Sequence, residues 1–180
     1  GAFEMGTGDR GETGPDATPR HEVKLALPYY VQAEKTTVAQ WARVVGGTPE
    51  GRVQDGDRPV RASWSEAARF AADLTARDAQ WIYRLPTEAE WVHAEGSGAV
   101  DRDEGPAEWC MDWYGPYPSW GVMSPIGAES GTERVARGGV PGDVRGHRPP
   151  DDRGEGVRLV AQVSYAKSGL GSVEATFRVI

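Results

Sequence analysis

An α+β, loop-rich fold with about three helices and short antiparallel strands is what this sequence predicts. Three observations predict it. Thr37 with Gln40, Ser63 with Glu66 and Thr87 with Glu90 each have the Ser/Thr-x-x-Glu/Gln spacing of a capping box, which marks three helix starts. Several short segments alternate apolar and polar residues with the period of a half-buried strand. The 24 glycines and 13 prolines, beside an apolar fraction of only 38%, put much of the chain in turns and loops. At 180 residues the chain fits one domain, or one with a lobe, and can bury a core without disulfide staples.

Taken in order, "GAFEMG" is a short apolar start, and the Gly/Asp/Pro/Thr cluster that follows it to residue 20 reads as a loop. In "HEVKLALPYYV" Val23, Leu25 and Leu27 alternate with their neighbours, which predicts a strand with one buried face. "TTVAQWARVVGG" is the first helix. Val38, Trp41, Val44 and Val45 share a face, and Gly46–Gly47 supply the positive φ of a C-terminal cap. The second helix begins at Ser63, with Ala67, Phe70, Ala71 and Leu74 at i, i+3, i+4 and i+7. "WIYRL", residues 81–85, is a strand.

"RLPTEAEW", residues 84–91, opens the third helix, which runs to Glu95. Arg84, Glu88 and Glu90 invite a reading as acid/base chemistry, since neighbouring carboxylates can have separated pKa values. Helix capping and core ion pairing explain them better, because Glu90 reaches back to the Thr87 N–H and acids suit the first turn of a helix. Ala89 and Trp91 face different surroundings, with Trp91 a core anchor. Beyond Gly96 regular structure thins: "AEWCMDWY" and "RVARGG" are short strands separated by loops. "VRLVAQVSYA" and "VEATFRVI" are two alternating strands joined through "KSGLGS" as a hairpin.

A formal charge of −7 and pI near 5.0 argue against a nucleic-acid or anionic-membrane binder, which needs clustered Lys and Arg. No apolar run approaches the roughly 20 residues that cross a bilayer, and no signal peptide is visible, so the chain reads as soluble, its compartment unknown. The patterned start at Gly1 is expected of a domain within a longer protein. Cys110 is the one cysteine, which excludes an intrachain disulfide and a two-cysteine metal site.

The order of "GAFEMG", "PRHEVKL", "TTVAQW", "PVRASWSEA", "RLPTEAEW", "AEWCMDWY", "RVARGG" and "GVRLV" resembles the formylglycine-generating enzyme (sulfatase-modifying factor) family. The resemblance spans residues 1–161 and implies a C-type-lectin-like fold; residues 162–180 read as a C-terminal β extension of the same domain. Enzymes of that family oxidise a substrate cysteine to formylglycine with oxygen, through two C-terminal cysteines that bind Cu(I), a soft ion suited to thiolates. The matching stretch here, "VPGDVRGHRPPDDRGEGVRLV", has no cysteine, and Cys110 lies elsewhere. No catalytic residue is therefore expected, and the domain reads as a pseudoenzyme.

A related branch, the iron-dependent sulfoxide synthases, takes its three-histidine site mainly from another domain. His21, His93 and His147 lack metal-ligand spacing, so such a site would need residues from outside the chain. Calcium is the remaining inherited cofactor. The family's long insert is reduced to residues 97–105, where Asp101, Asp103, Glu104 and the nearby Glu108 offer hard oxygen ligands, set against a solvated acidic loop. No other cofactor is expected.

Trp109 and Trp113 are expected in the core, whereas Tyr114, Tyr117 and Trp120, among Gly and Pro, are expected to reach solvent as ligand contacts. Arg145, His147, Arg148, Asp151, Asp152 and Arg153 fall where the family places its substrate-facing segment, and where the lectin-like variable proteins of diversity-generating retroelements display ligand contacts. The resemblance thus implies a non-catalytic module that binds a protein or peptide, or other domains of its parent chain, through loops. Two alternatives stand beside it: a metal-dependent oxidoreductase with ligands supplied from outside, and a vestigial structural or oligomerisation domain.

Overall fold

A computed structural model describes residues 1–8, 17–47, 56–100, 107–138, 146–148, 150, 157–158 and 163–166. In chain order its elements are β1 (Ala2–Met5), β2 (His21–Lys24), β3 (Tyr30–Val31), α1 (Val38–Val45), α2 (Trp64–Arg77), β4 (Trp81–Arg84) and α3 (Glu88–Gly96). They continue with β5 (Ala107–Trp113), β6 (Val122–Met123), β7 (Arg134–Arg137), β8 (Gly146–Arg148), β9 (Val157–Arg158) and β10 (Val163–Ala166). The strands form three small sheets ordered β1-β2-β6, β3-β10-β4 and β8-β7-β5-β9. Pairing is antiparallel except between β2 and β6 and between β5 and β9.

All three helix starts carry the reciprocal bonds that their spacing predicts. Thr37, Ser63 and Thr87 accept the N–H of Gln40, Glu66 and Glu90 through their hydroxyls, and each of those residues returns a side-chain oxygen to the cap N–H. At the far end of α1, Gly46 adopts φ +82 and donates to the Ala42 carbonyl. Thr87 is 4% exposed, so its hydroxyl is not replaced by water. Thr87→Ala is expected to cost about 1–2 kcal/mol in urea unfolding, and an unchanged midpoint would show the cap to be dispensable.

Helices α1 and α2 meet through Trp41 and Phe70, whose rings stack at 4.7 Å with an 8° interplanar angle. Val38, Val60, Ala67, Leu85, Trp109 and Ala136 close the same core around them. Val45, expected on the buried face of α1, is 44% exposed because it ends the helix. The alternation at Leu25 and Leu27 does not extend β2. The chain leaves the ladder after Lys24, the Ala26 N–H turns to Ser124 Oγ at 3.0 Å, and Leu27 is 67% exposed. β10 lies between β3 and β4, with Val163 opposite both Val31 and Arg84. The hairpin expected through "KSGLGS" and the strand expected at "VEATFRVI" lie outside the described residues. Among the described residues no helix is long and apolar enough to cross a membrane.

Candidate functional site

The start of α3 separates its two glutamates by task. Glu90 is structural: Thr87 N–H donates to Oε2 at 2.8 Å, and Arg84 adds two parallel bonds, Nη1 to Oε2 and Nη2 to Oε1, both at 2.8 Å. Glu88 turns the other way, toward β5 and β7. It is 2% exposed, accepts the Tyr117 hydroxyl on Oε1 at 2.7 Å and lies 3.7 Å from Arg137 Nη1. Its backbone N–H donates to Asp112 Oδ2 at 2.8 Å, which ties a second buried carboxylate to the first turn of the helix.

Asp112 owes its position to the pleat of β5. Glu108, Cys110 and Asp112 share one face of the strand, and all three are buried. Burial and then the nearby Glu88 charge raise Asp112 from its ordinary value of 3.8 to about 7, against the opposing hydrogen bond from the Glu88 N–H. The loop after β5 returns over this carboxylate at Gly127, which has φ +80. A Cβ there would sit 2.6 Å from Asp112 Cβ, so the close approach requires glycine.

Glu88 and Asp112 line an open cleft of about 740 Å³ whose walls include Met5, His21 and Tyr117. Its rim is apolar. Trp120 is 69% exposed, Met123 64% and Ile126 65%. His21 is buried, with its ring 5.0 Å from that of Tyr117 and Nδ1 3.1 Å from the Pro19 carbonyl oxygen. The cleft thus joins a buried acidic lining to an exposed apolar mouth.

Trp120 reaches solvent, as its Gly and Pro surroundings predict. Tyr117 lines the cleft but is half-buried, because its hydroxyl is bound to Glu88 and its ring packs on His21. Tyr114 is a correction: it is half-buried against the Trp91, Cys110 and Val135 cluster and lies outside the cleft lining. Trp109 is fully buried, as expected. Trp113 is only half-buried, with the Arg134 guanidinium 3.3 Å from its ring centroid and 3.7 Å from that of Trp64. His147 and Arg148 fall in β8, opposite Val135 and Arg134 of β7. Arg145, Asp151, Asp152 and Arg153 lie outside the described residues, as do Asp101, Asp103 and Glu104.

Glu108 does not fit a calcium ligand. It is 5% exposed, accepts the Trp91 Nε1–H, and faces Lys35 Nζ at 3.5 Å, so a cation of the protein already answers its charge. Among the described residues no group of three or more His, Cys, Asp and Glu side chains is placed to hold a metal ion. Nor does the sequence fit a Cu(I) cysteine pair, since it contains one cysteine. Cys110 is fully buried, and burial followed by the charges of Asp112 and Glu88 pushes its thiol well above the usual range, away from the reactive thiolate. Sequence reasoning missed Glu88 as a cleft residue, together with Asp112, Met123 and Ile126. For Asp112 a signal existed, because an acid in register with Glu108 and Cys110 on a core strand faces inward.

The scaffold defines a class of protein first: three capped helices and short, mostly antiparallel strands in the formylglycine-generating-enzyme-like fold. Residues 1–106 match the sulfatase-modifying factor enzyme 1-like domain, and the chain belongs to that family. Among solved structures it is similar to Treponema denticola variable protein 1, with a TM-score of 0.71, 19% identity, and coverage of 90% of this chain and 91% of that one. It is similar also to PvdO from Pseudomonas aeruginosa, with a TM-score of 0.71, 20% identity, and coverage of 91% of this chain and 90% of that one. Identity at this level carries the fold alone. No curated protein matches the sequence.

Proposed function

We propose that the domain is a non-catalytic recognition module that binds a protein or peptide in the cleft bounded by residues 115–128. One observation carries this reading: Trp120, Met123 and Ile126 stand exposed around the mouth of an open cleft. Their loop is anchored at both ends, by Tyr117 on Glu88 and by Gly127 in bridge pairing with Trp113. Aromatic and aliphatic side chains held on a fixed loop bury apolar area at little ordering cost when a partner arrives. The single, inert Cys110 and the commitment of Glu108 to Lys35 support a domain that has left the family's oxidative chemistry. An accessible cleft also favours recognition over a purely structural role.

The test is selection of random peptides displayed on phage against the folded domain. Clones that bind wild type are expected to lose at least about tenfold in affinity on Trp120→Ala, since a buried aromatic anchor contributes about 2 kcal/mol or more at an interface. The unfolding midpoint should move little, because Trp120 is 69% exposed and its removal leaves no buried cavity. Selected clones that bind Trp120→Ala as well as wild type would reject the cleft as the recognition site.

A further inference from the structure

The four buried carboxylates around α3 and β5 are not equivalent. Glu90 pairs with Arg84, Glu108 with Lys35 and Glu88 with Arg137. Asp112, 3% exposed, has no salt bridge among the described residues, and it is a carboxylate that lines the cleft. Arg134, whose charge acts on Asp112, makes no salt bridge to it: its guanidinium lies against the Trp64 and Trp113 rings and donates Nη1 to the Met111 carbonyl at 2.6 Å. A buried carboxylate without a salt bridge is costly even where a guanidinium acts on it from a distance, as Arg134 does on Asp112, and a ligand that brings a cation into contact relieves that cost. The methylene stem of such a ligand matches a mouth made of Trp120, Met123 and Ile126. A formal charge of −7 on the whole chain steers a cationic partner in the same direction.

We propose that the cleft takes a basic side chain, Lys or Arg, of a partner polypeptide. Its cation sits against Asp112 and Glu88, while its stem and flanking apolar residues pack on Trp120, Met123 and Ile126. This rests on the cleft being the recognition site. Because Asp112 is raised to about 7, a bound cation favours its ionised form and expels a proton. The groups acting on it are Glu88 and Glu90 from α3, Arg134 from β7 and Cys110 from its own strand, with Arg137 on the far side of its Glu88 pair and His21 and Tyr117 along the cleft wall. Affinity should therefore rise about tenfold from pH 6 to pH 8, as Asp112 goes from about one-tenth to about nine-tenths ionised.

The same selection supplies the probe. Clones that depend on Trp120 are expected to be enriched in Lys or Arg flanked by apolar residues. A synthetic peptide from such a clone should lose about tenfold or more when norleucine replaces its basic residue, and Asp112→Asn should both weaken its binding and flatten its pH dependence. Trp120-dependent clones with no basic preference would overturn this inference and leave the recognition site standing. A pH dependence that persists in Asp112→Asn would assign the proton to another group and overturn the role given to Asp112. Absence of any Trp120-dependent clone would overturn both readings.

Discussion

Trp109→Ala is expected to destabilise the protein by about 4–5 kcal/mol or to prevent folding, because two separate losses add at one site. The indole, carried on β5, is fully buried in the cluster that holds Val38, Trp41, Phe70, Leu85 and Ala136. Deleting it leaves a cavity that rigid neighbours on three elements cannot fill, at a cost of about 3–5 kcal/mol for a large aromatic. Its Nε1–H also donates to the Ala62 carbonyl at 3.0 Å, an oxygen that would be left buried. Against a net stability of about 5–15 kcal/mol, this is a large fraction of the total. Urea unfolding of Trp109→Ala and Trp109→Phe separates the terms, since phenylalanine restores most of the volume and none of the hydrogen bond. A loss below about 1 kcal/mol for the alanine variant would contradict the packing described here. Trp120, the same residue type eleven positions on, should show the opposite pattern, with stability intact and binding lost.

Those two tryptophans mark the boundary of what sequence reasoning can reach. Trp109 is legible by residue type, because an irregular, loop-rich fold needs large apolar side chains to fill the gaps between its segments. The capping boxes are legible because donor and acceptor are three residues apart, so the sequence itself contains the whole interaction. Leu27 fails because its fate is decided elsewhere. Its strand ends where Ala26 turns to Ser124, a residue 98 positions away, and no window around Leu27 contains that partner. Tyr114 and Tyr117 likewise have loop composition on both sides, yet each is drawn inward by a distant contact, Tyr114 by the Trp91 cluster and Tyr117 by Glu88. The cleft is a product of such long-range closures. Its apolar mouth was visible only as Trp120, while Met123 and Ile126 became informative once β6 paired with β2 and fixed the course of the loop. In "RLPTEAEW" the reading of scaffold holds for Glu90, whereas Glu88 belongs to both scaffold and cleft.

Asp112→Asn is expected to stabilise the protein at pH 8 and to have little effect near pH 4. The sign follows from the direction of the shift. Below the unfolded value, close to 4, Asp112 is protonated in both states and its burial is not opposed by charge. As pH rises the unfolded chain ionises freely, whereas the folded protein holds the proton until about pH 7, so stability is lost across that interval. A rise from 3.8 to about 7 corresponds to about 4 kcal/mol, fully expressed above pH 7. Asparagine retains an oxygen for the Glu88 N–H and presents an N–H₂ group where a second carboxylate oxygen stood, and it carries no charge to desolvate. The measurable quantity is the difference between variant and wild type in urea unfolding at several pH values, in which groups common to both proteins largely cancel. That difference should grow from near zero at pH 4 toward about 4 kcal/mol at pH 8, and a difference that does not change with pH would show that Asp112 titrates alike in both states. A protein that keeps a carboxylate at such a cost, where the uncharged isostere fits, has its charge set by something other than stability. In the reading proposed above, that charge is kept for the cation of the ligand that the cleft takes.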